Sequence, residues 1–255
     1  MRQSTMEACC RAIEEASARG PRALSELLPD AFVPEYLYWP TDATPPIRVK
    51  PTHFVDGGSL ENLGVASALS FGDIDGLAVF VNTPEPLKTE GGTLVIDGAI
   101  PPLFGYQPYD PVRGYVLYAD GLVDPANATY QHNQVFASDQ FQPLLDGLSQ
   151  AWNANAGSAV ATQTLALLDN TWFGVKSGRS VKVVWFHLAA PTAWSDQLSA
   201  EVATFASDQA SSDSFPYYPT LSSSLDPEQV NLLANLTAWT VLEAKSDLLW
   251  LYDLS

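Results

Sequence analysis

Apolar residues fall along this chain in two rhythms: helical stripes and short unbroken apolar runs that suit buried strands. Met6, Cys9, Cys10 and Ile13 share one stripe and predict a helix over 5–18, which Gly20-Pro21 stops. A shorter helix over 22–28 ends at Pro29, and the proline- and aromatic-rich stretch 34–51 reads as an ordered loop that docks Tyr36, Tyr38 and Trp39. Thr52-His53-Phe54-Val55 predicts a strand running straight into Asp56-Gly57-Gly58, and 60–69 predicts the following helix, with Ser59 as its cap. Leu77-Ala78-Val79-Phe80-Val81-Asn82 is almost wholly apolar and predicts a central parallel strand buried on both faces.

Residues 83–128 are dense in Pro, Gly and Tyr and predict a long structured insertion or lid, with short strands at 93–96 and 115–118. Within it, Ile96-Asp97-Gly98-Ala99 reads as a hairpin turn. Helices are expected over 138–152, 159–168 and 194–205, and a strand over 181–188. The last helix carries the clearest punctuation. Asp226 is its cap, Pro227 its first residue and Gln229 completes a capping box, while Leu232, Leu233, Leu236, Trp239 and Thr240 share a face. Strands alternating with helices make the expected fold class α/β, and 1–255 is read as a single domain.

Composition narrows the partners. Twelve Lys+Arg stand against 29 Asp+Glu, a net charge of −17 that repels phosphate backbones, so no nucleic acid is expected. The adjacent Cys9 and Cys10 are the only cysteines and build no disulfide framework. With no secretory-type apolar stretch near the start, the expected location is cytoplasmic, at most peripheral to membranes. His53, His132 and His187 are scattered, and the weak pair His53-x-x-Asp56 lacks further ligands, so neither metal nor cofactor is expected.

The candidate chemistry centres on Phe54-Val55-Asp56-Gly57-Gly58-Ser59-Leu60-Glu61-Asn62-Leu63-Gly64. An aspartate ending a strand, followed by two glycines, puts its carboxylate at the mouth of an open sheet. Asp-Gly-Gly followed by Glu-Asn-Leu-Gly resembles the aspartate motif of patatin-like and cytosolic-phospholipase-like acyl hydrolases. Phe80-Val81-Asn82-Thr83-Pro84 and Phe215-Pro216-Tyr217-Tyr218-Pro219-Thr220 extend the similarity over roughly 36–241.

The resemblance implies the later half of a three-layer α/β/α hydrolase sheet with a C-terminal helical region. It makes Asp56 the general base of a Ser-Asp dyad, gives Gly57 and Gly58 to its turn, and has Asn62 brace the loop. The implied substrate is a phospholipid or another acyl ester.

The family's Gly-x-Ser-x-Gly nucleophile motif is absent from the sequence, and no glycine-rich anion-binding loop precedes Asp56. The expectation is therefore an acyl-hydrolase fragment, inactive alone, that completes its site with an N-terminal segment or a partner chain. The alternative is a non-catalytic lipid- or partner-binding protein derived from that fold. The aromatics at 36–39 fit either an acyl pocket or a plain core cluster.

Overall fold

A computed structural model of the chain describes residues 35–38, 50–53, 57–212, 214–219 and 224–252. The chain divides into two compact units, Met1–Gly57 and Gly58–Ser255. The helices expected over 5–18 and 22–28 lie outside the described residues, as does Asp56. In the first unit, β1 (Glu35–Tyr38) pairs antiparallel with β2 (Lys50–His53) as a sheet of its own. Residues 35–38, read as part of a loop, thus form a strand, and β2 takes in Thr52 and His53 of the expected strand 52–55, whose Phe54 and Val55 lie outside the described residues.

The second unit is mixed α/β, built on a small mixed sheet in which β3 (Gly76–Val81), β7 (Ser180–His187) and β6 (Val160–Ala166) lie in the order β3-β7-β6. β3 runs parallel to β7, with Phe80 opposite Phe186, and β6 runs antiparallel to β7. A two-stranded ribbon, β4 (Lys88–Glu90) with β5 (Thr93–Val95), stands apart. The α-helices are α1 (Val65–Leu69), α2 (Phe141–Trp152), α3 (Thr192–Ser195), α4 (Ala200–Ser212), α5 (Pro227–Glu243) and α6 (Lys245–Tyr252).

Several expectations change. The central strand of the described sheet is β7, buried along most of its length, whereas β3 lies at an edge and exposes Ala78 and Phe80. Within 159–168, where a helix is expected, residues Val160–Ala166 form the strand β6. Their apolar spacing suits either state, and Val160, Thr162 and Thr164 are β-branched residues that fit a pleated surface beside β7. The helix expected over 60–69 shrinks to α1, so its N-cap position falls on Gly64 and not on Ser59. Residues 115–118 contribute one isolated bridge, Tyr106 with Leu117, in place of a strand. The helix expected over 194–205 is split into α3 and α4. Asp97 opens no hairpin: its carboxylate accepts the N–H of Ala99 in a turn that leads to a 3-10 helix at Pro101–Phe104.

The main core lies on one face of the sheet. Val79, Val81, Val183, Trp185 and Leu165 meet Leu144 and Leu148 of α2, and Leu103, Phe104 and Phe136 of the loop-rich segment. Buried amides hold that segment where no ladder does. Gln107 donates to the carbonyls of Leu117 and Gly121 and accepts from Val123, while Asn170 bonds the carbonyls of His132 and Gln134 and the N–H groups of Trp172 and Phe173. Gly105, at φ +83°, leaves room for Gln134, whose amide a Cβ would approach to 2.7 Å.

On the opposite face, Val160, Val184 and Phe186 pack under α5 and α6 through Val241, Ala244, Leu248 and Leu251. Lys182 latches α6 there, donating to the carbonyl of Trp250 at 2.9 Å with its ammonium 5.0 Å from that ring. α5 starts as its sequence dictates, with the reciprocal Asp226–Gln229 capping box and Pro227 in the first turn. No helix among the described residues is long and apolar enough to cross a membrane.

Candidate functional site

Two features among the described residues bear on function: the segment that follows Asp56, and a cleft in the second unit. Residues Gly57–Ser59 form a 3-10 turn, with Gly57 exposed and Gly58 half-buried, and Asn62 is exposed. Its neighbour Glu61 is buried and bonds the backbone of the loop. One Glu61 carboxylate oxygen accepts from Leu63 at 2.8 Å and the other from Ala66 at 3.0 Å, closing the N-terminus of α1 in place of a Ser, Thr or Asp cap. Gly64 at φ +71° supplies the left-handed turn that brings these N–H groups onto one carboxylate. Burial raises the Glu61 carboxyl above its ordinary range, and the backbone donors of residues 63 to 66 oppose that rise.

Two other clamps fix this corner. Asn133, itself buried, donates to the carbonyl of Leu60 at 2.7 Å. The Arg179 guanidinium, at the start of β7, donates to the carbonyls of Leu69, Phe71 and Ile74 and so satisfies the exit of α1.

The cleft opens at the carboxyl ends of the parallel strands β3 and β7, the place where open α/β sheets receive ligands. It measures about 180 Å³. Phe80, Phe186, Leu188 and Ala189 form its sheet side, and Leu233, Leu236, Thr237 and Thr240 of α5 its cover. These four α5 residues fall at the helical spacings of three and four, so one face of the helix forms the wall. Phe80 stacks on Phe186 with ring centres 4.6 Å apart, yet remains 53% exposed. Gly58 and Asn62 are not among the lining residues.

His187 lies at the base of the cleft and is buried. Its Nε2 accepts the N–H of Asp97 at 3.1 Å, so the ring proton sits on Nδ1, which donates to the carbonyl of Leu188 at 3.1 Å. Burial pushes the imidazole below its ordinary value, against the Leu188 carbonyl and the Asp97 charge. With both nitrogens engaged, His187 is a neutral joint between β7 and the 96–99 turn, not a poised base.

Asn82 stands exposed at the mouth and makes no hydrogen bond among the described residues. The hydroxyls of Thr237 and Thr240 donate to the carbonyls of Leu233 and Leu236, at 2.9 and 3.0 Å. Among the described residues no serine or cysteine lines the cleft, and its two threonine hydroxyls are tied to helix carbonyls. Among the described residues, no group of three or more His, Cys, Asp or Glu is placed to hold a metal ion.

Sequence reasoning missed this site, although two of its signals were legible. Phe80 interrupts an otherwise aliphatic strand, and two threonines share the apolar face of α5. Comparison with models of known protein families, with curated proteins and with solved structures finds no match to this chain.

Proposed function

We propose that this chain is the acyl-chain-binding part of a lipid acyl hydrolase of the patatin-like kind, holding lipid without turning it over alone. The observation that carries the reading is the apolar cleft at the carboxyl ends of β3 and β7, lined by Phe80, Phe186 and Leu233, with no serine or cysteine among its described lining residues. The Asp56-Gly57-Gly58 motif, with Asn62 after it, supports the enzymatic ancestry. Packing on both faces of the small sheet is compatible with a three-layer parent fold. Asp56 serves as the base only where a serine and oxyanion donors arrive from another segment or chain.

The test pairs binding with labelling. The purified chain should bind the neutral apolar dye Nile red, and lysophosphatidylcholine should displace it. A fluorophosphonate serine probe, read by intact mass, should leave the protein unmodified. Dye binding without displacement by the lipid would remove the acyl-binding reading. Stoichiometric labelling of one serine would make the chain an enzyme in its own right.

A further inference from the structure

The polar atoms around the cleft discriminate between head groups. Among the described residues no Lys, Arg, Asp or Glu lines the cleft, so a charged end would be desolvated against these side chains without a counter-charge. His187 supplies no cation, because its Nε2 already accepts from Asp97 and its Nδ1–H already donates to Leu188. The two threonine hydroxyls have committed their protons to helix carbonyls, which leaves oxygen lone pairs as what they offer a ligand. Asn82 adds an uncommitted amide at the mouth. A net charge of −17 further disfavours an anionic ligand. A cation would gain from that long-range field, but among the described lining residues it would meet no carboxylate.

We infer that the cleft selects an apolar chain whose polar end is an uncharged hydrogen-bond donor, a hydroxyl above all, over a carboxylate or an ammonium. This rests on the reading of the cleft as a lipid-binding site and narrows its ligand class. The hydroxyl proton points to the Thr240 or Thr237 oxygen, and its own oxygen accepts from the Asn82 amide. A free fatty acid in its ionised form finds the Asn82 amide as a side-chain donor at the mouth and no cationic side chain among the described lining residues.

Competition against Nile red by decanol, decanoate and decylammonium decides the matter, at about pH 8, where decanoate is ionised and the amine protonated. Decanol is expected to displace the dye at a concentration about tenfold below that of either charged analogue. The Thr237→Val/Thr240→Val double variant should erase that preference, and the Thr237→Ser/Thr240→Ser variant, which keeps both hydroxyls, should retain it. Thermal melts of both variants establish that they are folded.

Equal potency of the three ligands would overturn the selectivity while leaving the lipid-binding reading intact. So would tighter binding of decanoate or decylammonium, or a preference unchanged in the valine variant. Failure of Nile red to bind at all would instead remove the lipid-binding reading, and the selectivity with it.

Discussion

The two faces of the β3-β7-β6 sheet are drawn from alternate residues of the same strands, yet they are finished differently. On one face Val79, Val81, Val183 and Trp185 are all at most 5% exposed, sealed by α2 and by loops stapled with buried amides. On the other, Val184 and Phe186 are buried under α5 and α6 while Phe80, directly beside Phe186 in the parallel register, keeps 53% of its surface in water. A closed face turns its apolar area into stability. A partly covered face leaves some of that area for a ligand, and the cleft lies where the cover by α5 runs out at the strand ends. The difference arises from the cover, since strand alternation alone would make both faces equally apolar.

Three substitutions sharpen or break this contrast. The largest effect is expected from Trp185→Ala, which opens a cavity in the closed face and should cost about 3–5 kcal/mol by urea denaturation. A loss under about 1 kcal/mol would mean that this face is not the principal core.

Next comes the joint at the base of the cleft. Burial holds the His187 imidazole below its ordinary value, so the unfolded chain takes up the proton first. Stability contributed by the neutral ring is whole above about pH 6.5 and declines as pH falls through the folded-state value. His187→Gln, which can still accept from Asp97 and donate to Leu188, should cost about 1 kcal/mol at neutral pH. It should also flatten the fall in melting temperature below that pH. Equal acid sensitivity in the two proteins would remove His187 from the account.

The smallest stability effect belongs to Phe80→Ala, within about 1 kcal/mol because the ring is half in water. Nile red affinity should nevertheless fall by about fivefold. A large stability loss with unchanged dye binding would reverse the roles assigned to the two faces.

Legibility followed the range of the interactions. The capping box of α5 was readable because Asp226, Pro227 and Gln229 act within one turn, and β7 because Val181, Val183, Val184, Trp185 and Phe186 crowd into six positions. After the aspartate, Asn62 is exposed, while its neighbour Glu61 makes the bonds to Leu63 and Ala66. A buried glutamate has no local sequence mark, since its partners form only once Gly64 turns the chain. Asp56 itself lies outside the described residues.

The sequence by itself determined the α/β class, the α2 and α5 helices, the acidic surface and the absence of the Gly-x-Ser-x-Gly motif, because each is a matter of local pattern or composition. Tertiary structure alone decided that 160–166 is a strand, that β3 lies at an edge of the described sheet, and that Phe80, His187 and Thr240 surround one cleft. Those outcomes depend on residues up to about 160 positions apart choosing the same neighbour, and single-chain periodicity holds no record of which neighbour will be there.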